Sequence, residues 1–287
     1  MKEKIMHVVF ALAALTSILA VVLICVFLFV SGVPAMHEVG LMNFLGGTVW
    51  KPTATQPQFG IFPMIIGSIY VTAGAIVIGV PIGVLTAIFM AFYCPKKLYR
   101  PLKSATELLA GIPSVVYGFF GLVVIVPYIR ELFKAQGCKG QSILAASILL
   151  GLMILPTIIG VSESALRAVP GSYYEGATAL GATHEEAIFR TVLPAAKSGV
   201  LAGVILGIGR AIGETMAVIM VVGNQPRVPS SIFQGVRTLT GNIVTDMAYA
   251  EGLHREVLIA TGVVLFVFIL IINISFSILK RRDMNAG

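Results

Sequence analysis

The sequence predicts an all-α, polytopic membrane protein with six transmembrane helices. Of its 287 residues, 57% are hydrophobic and 11% are charged, whereas a soluble domain carries about 25% charged residues. Six apolar runs also reach the roughly 20 residues that a helix needs to cross the hydrocarbon core of a bilayer. These runs are His7 to Val30, Phe62 to Tyr93, Leu108 to Pro127, Ile143 to Ala165, Ser198 to Val222 and Val257 to Leu279.

The first run follows Lys2 and Lys4, as a signal peptide would, but it is predicted to be a retained helix. Its apolar stretch exceeds the about 7–15 residues of a signal-peptide core, and no clear cleavage site follows it. Residues 1–60 are expected to form this helix and the first outer loop, where Trp50 is predicted to anchor at the membrane interface. Residues 61–287 are expected to form a core of five further helices with an inner loop at 167–197.

The distribution of basic residues predicts the orientation of the helices. If both termini share one side, that side holds twelve Lys and Arg residues and the opposite side holds seven. An excess of Lys and Arg marks the cytoplasmic side, so both termini are predicted to lie in the cytoplasm. Topology thus accounts for the net charge of +7, and no nucleic-acid partner is expected. The three cysteines form no C-x-x-C pattern, so no metal or other cofactor is expected.

The fifth run contains two charged residues, Arg210 and Glu214, deep in an otherwise apolar segment. Arg210 lies 12 residues after Ser198, which is about 18 Å along a helix and close to the bilayer midplane. A charge at that depth costs about 2.5–3.5 kcal/mol on insertion scales. At about 100° per residue, both charges share an arc with glycines 199, 203 and 207. This face is predicted to meet another helix closely and to line a polar space above it.

The pattern leaves two roles open for these charges. They could form an ion pair that neutralises itself, although Arg before Glu is the weaker order for such a pair. Alternatively, Arg210 offers a planar fork of donors to a tetrahedral oxyanion, while Glu214 holds the guanidinium and limits the strength of binding. Thr215 could add a hydroxyl, and Ser114 and Tyr117 of the third run are weaker candidates for the same path.

Two further features concern the inner side of the fourth and fifth runs. Glu163 and Arg167 are spaced for an ion pair near the end of the fourth run. The segment 173–199 predicts a short helix, a break at Gly181 and a second helix that begins at Thr183, with Glu186 completing a capping box. Such a segment either presents a compact knob to another protein or lies on the membrane surface.

This inner segment resembles the EAA loop of the permease subunits of ABC importers. The residues that carry the resemblance are Glu175, Gly176, Ala177, Gly181, Leu193 and Pro194. Gly176 stands where the loop usually has its first Ala, and Thr191 where it has Ile. The resemblance implies that the segment is a coupling helix that fits a groove on a separate ATP-hydrolysing subunit.

Longer stretches resemble the permeases of phosphate importers in particular. They include "ELLAGIPSVVYGFFGL" at 107–122 and "GRAIGETMAVIMVVGN" at 209–224, and the likeness runs from about Gly60 to the last helix. It implies a type I ABC importer permease fold in a prokaryotic cytoplasmic membrane, with phosphate as substrate. The implied partners are an ATP-binding dimer at the cytoplasmic face, an extracytoplasmic phosphate-binding protein and a second, sister permease across the glycine-lined interface.

The chain has no G-x-x-x-x-G-K-[ST] sequence for holding the phosphates of ATP, so it is not expected to bind ATP. As a transport subunit it is not expected to be an enzyme, and ATP hydrolysis is expected on a separate chain. Two other functions remain open from the residues. One is a permease for another oxyanion, such as sulfate or molybdate. The other is a secondary transporter acting alone, in which Arg210 and Glu214 form an ion-coupled site. A membrane scaffold without transport activity fits the midplane charges least.

Overall fold

The computed structural model describes residues 2–285, and it describes the side chains of residues 6–275 and 278. Helices account for most of this chain. The first seven α-helices are α1 (Lys2–Val39), α2 (Leu41–Gly46), α3 (Phe62–Ile88), α4 (Lys96–Gly111), α5 (Ser114–Phe120), α6 (Val126–Leu132) and α7 (Ile143–Arg167). The remaining ones are α8 (Gly171–Ala179), α9 (His184–Ala187), α10 (Leu193–Ala195), α11 (Lys197–Gly213), α12 (Met216–Val221), α13 (Leu239–Asp246) and α14 (Gly252–Asn285).

Three short π-helical segments and one 3-10 turn complete the helical parts of the described chain. The π-helical segments are Phe89–Tyr93, Gly121–Ile125 and Ile188–Val192, and the 3-10 turn is Lys134–Gln136. The two strands, β1 (Trp50–Lys51) and β2 (Gln58–Phe59), pair antiparallel. We call the end of the molecule that carries residues 167–197 the inner end, and the end that carries the β1–β2 pair the outer end.

Five helical segments in the described chain are long and apolar enough to cross a membrane without a sharp bend. They are Met6–Val39, Phe62–Tyr93, Ser114–Leu132, Ile143–Arg167 and Gly252–Ser275. A sixth candidate is a bent pair, in which Lys197–Gly213 meets His184–Ala195 at 71° and which passes the same test only when the two parts are taken together. The prediction of six crossings is therefore met only when this interrupted segment is counted.

The predicted end of the first crossing and the predicted start of the third are wrong. The first helix continues to Val39 instead of ending at Val30, because its last turns pack against α14 despite Pro34. The third crossing begins at Ser114 instead of Leu108. Pro113 disfavours helical backbone at the residue before it, and Ile112 is accordingly extended with φ −68° and ψ 127°. Leu108 therefore belongs to α4, a separate helix before the crossing.

Glycines hold α3, α7 and α11 close together at the centre of the molecule. A Cβ added to Gly83 of α3 would lie 2.8 Å from Cγ2 of Ile158 in α7, and one added to Gly207 of α11 would lie 2.7 Å from Cγ1 of the same side chain. Ile158 is fully buried between the two glycines. α7 therefore lies between α3 and α11, and the Ile158 side chain packs directly against the glycine backbone of both.

The predicted close contact of the glycine face of α11 is confirmed, but its predicted partner was wrong. Gly199 lies against Ala165, and a Cβ on Gly203 would lie 3.0 Å from Oγ of Ser162. Both partners belong to α7 of this chain, not to a second permease. The periodicity of the glycines indicates a close helix neighbour, but it carries no information on whether that neighbour is in the same chain.

α1 and α14 run antiparallel at the periphery of the molecule. The rings of Phe29 and Phe266 are 6.0 Å apart, and a Cβ on Gly32 would lie 3.0 Å from Cα of Ala260. The start of α1 and the end of α14 therefore lie at the same end of the molecule. The basic side chains nearest the termini, Lys2 and Lys280 among them, are outside the described side chains, and the cytoplasmic placement of the termini stays a prediction.

The sequence predicts that Trp50 anchors at a membrane interface, but in the structure Trp50 lies inside the outer end of the molecule. It is 6% exposed and pairs with Phe59 across the β1–β2 ladder. Its Nε1 donates a hydrogen bond of 2.9 Å to Oδ2 of Asp246. The indole thus closes the first outer loop over α13, which explains why a loop rich in proline and glycine has an ordered core.

We expect opposite effects from alanine at two neighbouring glycines of α11. Gly207→Ala forces a methyl group against Ile158 and should destabilise the protein by about 1–3 kcal/mol. Gly209 has no atom within 4 Å of an added Cβ, so Gly209→Ala should stabilise it by up to about 1 kcal/mol through helix propensity. Thermal unfolding of both variants in detergent measures the difference. Equal effects would contradict the close packing of α11 on α7.

Candidate functional site

The helix that carries Arg210 ends immediately before Glu214. α11 stops at Gly213, Glu214 is extended with φ −70° and ψ 130°, and α12 begins two residues later at Met216. Oε1 of Glu214 accepts hydrogen bonds of 3.2 Å from the backbone N–H groups of Thr215 and Ala217. The carboxylate thereby satisfies donors at the start of α12 that have no partner within the helix. The prediction of one continuous helix from Ser198 to Val222 is wrong at this point.

This break separates the two charges that the sequence analysis paired. Within residues 6–275, no ion pair joins Arg210 to Glu214, and the Glu214 carboxylate faces backbone N–H groups instead. Helical spacing does not apply beyond Gly213, because Glu214 is not helical. The interpretation of the two side chains as a self-neutralising i, i+4 pair is therefore wrong, and Glu214 does not hold the Arg210 guanidinium in this structure.

Arg210 is exposed on the surface of the chain. It shares this surface with Leu206, which is also exposed, and with Gly209 and Gly213, where nothing lies within 4 Å of an added Cβ. Its neighbour Ala211 is buried in the same cluster as Tyr117 of α5, so this part of α11 lies beside the place where the third crossing begins. The result is a cationic fork on an open, glycine-flanked face of α11.

Tyr117 lies next to this face but has a structural bond of its own. It is 8% exposed, and its hydroxyl donates a hydrogen bond of 2.9 Å to the backbone oxygen of Leu109. That oxygen belongs to the last turn of α4, where carbonyl groups lack a helical partner. The phenol therefore joins α4 to α5, while Ser114 is half-buried at the first turn of α5.

Thr215 bonds to its own backbone: its hydroxyl donates a hydrogen bond of 3.3 Å to the oxygen of Gly213. A second hydroxyl, from Thr240 of α13, donates a bond of 3.4 Å to the oxygen of Glu214. α13 therefore covers one side of the break between α11 and α12. The structure brings Arg210, Thr215 and Tyr117 to one region, in which Arg210 is the charged side chain that has no ion-pair partner among the described residues.

A polar cluster at the outer end of the molecule was not predicted from the sequence. Arg237 Nη1 donates hydrogen bonds to Oδ1 of Asn242 at 3.1 Å and to Oδ1 of Asp246 at 3.3 Å. Burial alone would raise the pKa of the Asp246 carboxyl, but hydrogen bonds from Trp50 and Tyr249, together with the charge of Arg237, bring that pKa below its usual value. The signal in the sequence was that Arg237 and Asp246 are the only charged residues from 228 to 250.

At the inner end, Glu163 is the centre of a second charged cluster. Its side chain is 1% exposed, and it accepts hydrogen bonds from Tyr99 Oη at 2.6 Å, Lys103 Nζ at 2.8 Å and Arg167 Nε at 2.9 Å. The predicted pair with Arg167 is confirmed, whereas the two partners from α4 were missed. The hydrogen bond to Glu163 raises the pKa of the Lys103 ammonium. The cluster fixes α4 to the inner end of α7.

The inner segment forms the predicted pair of short helices. α8 ends before Gly181, which has φ +91°, a value that glycine adopts without strain. Thr183 and Glu186 form the predicted capping box at the start of α9. Leu180, between the two helices, is 92% exposed. The segment therefore projects a leucine at its tip, as a protein-docking knob would.

The predicted coupling residues divide between this projection and its base. Glu175, Gly176, Gly181 and Pro194 are exposed, whereas Ala177 and Leu193 are half-buried. Behind them, Ile188 is buried in a cluster that includes Ile88 of α3 and Leu166 of α7, and Leu193 packs against this cluster. This packing favours the compact knob over a helix lying flat on a membrane surface.

His184 connects the knob to the end of α3. Its Nδ1 lies 2.8 Å from Oη of Tyr174 in α8, and its ring lies 5.0 Å from the ring of Tyr93 in an edge-to-face arrangement. Tyr93 is the last residue of the π-helical segment that continues α3. A displacement of the knob therefore acts directly on a membrane-crossing helix.

Comparison with known proteins identifies relatives over nearly the whole chain. Residues 79–283 match the family described as binding-protein-dependent transport system inner membrane component. A probable ABC transporter permease protein, YqgH of Bacillus subtilis, is 41% identical over 91% of this chain and 86% of its own. The phosphate transport system permease protein PstC of Mesorhizobium japonicum is 34% identical over 99% of this chain and 92% of its own.

Solved structures show the same fold at lower identity. A chain of a bacterial alginate ABC transporter, crystallised with an alginate-bound periplasmic protein, matches with a TM-score of 0.61 and 16% identity over 94% of each chain. A chain of the MetNI methionine ABC transporter matches with a TM-score of 0.58 and 21% identity, over 78% of this chain and 94% of its own. The arrangement of helices is therefore that of ABC importer permeases.

We expect Glu214→Ala and Glu214→Gln to differ in stability. Alanine removes the acceptor that caps α12 and should cost about 0.5–2 kcal/mol, whereas the glutamine carbonyl can still accept both backbone bonds. Thermal unfolding and amide hydrogen exchange in 216–221 measure the loss, with Glu107→Ala, an exposed glutamate of α4, as control. If both variants at 214 lose the same stability, the charge and not the cap is what matters.

Proposed function

This chain belongs to the family of binding-protein-dependent transport system inner membrane components, and on that premise we propose that it is a permease subunit of an ATP-driven importer of inorganic phosphate. The substrate follows from relatives such as the PstC proteins of Mesorhizobium japonicum and Pasteurella multocida, the latter 33% identical over 85% of this chain. As a permease it carries substrate and is not itself an enzyme. ATP hydrolysis belongs to a separate subunit.

The observation that supports this function best is the exposed Arg210 guanidinium at the end of α11. A charge inside a membrane-crossing segment is retained where it faces protein or a water-filled path. Arg210 has no ion-pair partner within the described chain, so its donors remain available to a ligand. A planar guanidinium binds a tetrahedral oxyanion through paired hydrogen bonds. We place the substrate path along this face, with Thr215 beside it and Ser114 and Tyr117 on the facing wall.

The same face indicates where a second permease binds. Because α7 already covers the glycines 199, 203 and 207, the open part of α11 is the strip of Leu206, Gly209, Arg210 and Gly213. A sister subunit of the PstA type, placed over this strip, would remove Arg210 from lipid and complete the path. The predicted second permease therefore stays in the proposal, but on a different strip of α11.

The knob at the inner end is proposed to couple this chain to an ATP-binding dimer. Its exposed tip at Leu180 offers an apolar contact, and the ring contact between His184 and Tyr93 passes a displacement to α3. Residues 61–287 then form the transport core, and residues 1–60 form a peripheral helix with an outer loop. The permease is proposed to lie in a prokaryotic cytoplasmic membrane, where an extracytoplasmic phosphate-binding protein delivers the anion to the outer end.

We expect Arg210→Gln to lower phosphate uptake by about ten- to a hundredfold, since a hydrogen bond to a charged group contributes about 1.5–3 kcal/mol. The measurement is ATP-driven phosphate uptake by the assembled transporter in proteoliposomes. Arg130→Gln is the matched control, because Arg130 is exposed and lies at the far end of the third crossing.

Normal phosphate uptake by the Arg210 variant would contradict the proposed role of this side chain. Uptake of sulfate or molybdate, but not phosphate, by the wild type would identify a different oxyanion as substrate. Transport by the chain without any ATPase would instead support a secondary transporter.

We expect Leu180→Ala to weaken binding of the ATPase subunits by about tenfold, as truncation of a central interface side chain costs about 1–2 kcal/mol. Stability should not change, because Leu180 has almost no contact within the chain. Co-purification of the ATPase at graded concentrations measures the effect. Leu132→Ala, at an exposed leucine far from the knob, should have no effect. Full ATPase binding by the Leu180 variant would exclude its tip as the docking contact.

A further inference from the structure

An open cavity of about 750 Å³ lies at the inner end, beside the start of α4. Four cationic side chains line it: Lys96, Lys97, Arg100 and Arg167. We propose that this cavity binds the phosphate group of an anionic lipid headgroup. The proposal does not depend on which substrate the permease transports, because the cavity lies away from Arg210 and the helix break.

Three of these cations have no ion-pair partner in the described part of the chain. Lys96, Lys97 and Arg100 are exposed, and none of them makes a salt bridge with a described carboxylate. The buried carboxylate of Glu163 is already paired with Lys103 and Arg167. The cavity therefore carries an uncompensated positive charge, which attracts an anion.

The fourth cation, Arg167, is held in place at the wall of the cavity. Its Nε donates to Glu163, and its Nη2 donates a bond of 2.7 Å to the backbone oxygen of Met90. Its guanidinium also lies 4.6 Å from the centre of the Tyr99 ring. Met90 belongs to the π-helical segment Phe89–Tyr93, and π-helical turns are frequent at functional sites. These contacts position the guanidinium without using all its donors.

The cavity lies at the depth of lipid headgroups. Its lining includes Met90 and Ala91, close to the end of the crossing Phe62–Tyr93, and Arg167, the last residue of the crossing Ile143–Arg167. An anion at this level meets the surface of the hydrocarbon core and not its centre. Anionic lipids at such a surface attract each nearby Lys or Arg, and the attraction amounts to about a fivefold gain in binding per cation.

The adjoining helix α4 has the character of a helix that lies on a membrane surface. It has no buried residue in the chain, and its four leucines, 98, 102, 108 and 109, are exposed. At about 100° per residue, leucines 98, 102 and 109 lie opposite Lys96 and Arg100. A helix of this kind places its apolar side in the acyl region and its basic side among headgroups. This arrangement favours a lipid over a free phosphate ion as the occupant.

Lys96, Lys97 and Arg100 also contribute to the orientation of the protein in the membrane, but orientation depends only on how many basic residues lie on each side. It does not require that they line one cavity, or that Arg167 be fixed there by two hydrogen bonds. The geometry therefore points to a binding site in addition to a topological signal.

The test compares the full-length protein with the triple variant Lys96→Gln, Lys97→Gln, Arg100→Gln. Delipidated protein is titrated with phosphatidylglycerol or phosphatidylcholine, and bound lipid is counted by native mass spectrometry. We expect the triple variant to bind phosphatidylglycerol at least tenfold more weakly and to bind phosphatidylcholine as the wild type does. The control variant Lys51→Gln, Lys134→Gln, Lys139→Gln loses the same charge at exposed lysines outside the cavity and should keep wild-type binding.

A second measurement distinguishes a loss of lipid binding from a folding defect. Phosphatidylglycerol should raise the thermal unfolding temperature of the wild type and the control, but not that of the triple variant, whose unfolding temperature without lipid should match the wild type. Equal phosphatidylglycerol binding by the triple variant would overturn the proposal. So would displacement of the lipid by inorganic phosphate at equal concentration, which would identify the occupant as a free anion.

Discussion

Inside a membrane, every polar backbone group and every charge must find its partner within the protein, because the hydrocarbon offers none. Most of the unusual residues of this chain meet that requirement. Glu214 satisfies the first N–H groups of α12, and Tyr117 satisfies a carbonyl at the end of α4. Glu163 accepts three bonds at the inner end of α7. Arg210 differs from these residues, because it has no ion-pair partner among the described residues and its donors remain available to a ligand.

Close packing of α3, α7 and α11 holds the helix that carries Arg210 in place. α7 contributes bulky residues such as Ile158, while α3 and α11 contribute glycines that leave room for them. Transmembrane helices associate through such contacts because lipid gives them no hydrophobic reason to do so. The three packed helices form a frame from which one strip of α11 stays open. The open strip with Arg210 and the glycines covered by α7 lie on the same helix, α11, only a few residues apart.

The sequence predicted the features that depend on local pattern. The second and fourth crossings follow from uninterrupted apolar runs, and the cap at Thr183 follows from the types and spacing of two residues. Pro113 is present in the sequence, but the third crossing was predicted from hydropathy alone, so the predicted helix included Pro113 and began too early, at Leu108. The break at Glu214 was missed because hydropathy does not register a side chain that competes with helical hydrogen bonds. The clusters around Glu163 and Asp246 join residues far apart in sequence, as Trp50 and Asp246 show, and no local pattern specifies such pairs.

The break at Glu214 also determines how movement passes through the molecule. Inward of it, α11 joins the knob at a 71° bend and packs on α7 along their shared glycine contact. Outward of it, α12 packs on α5, where Gly118 lies against Ala217. Two non-helical residues, Glu214 and Thr215, interrupt the helical hydrogen bonds between these halves, so a tilt of the inner half need not turn the outer half. The crossing therefore acts as two levers joined at Glu214, and the guanidinium of Arg210 lies one helical turn before the joint.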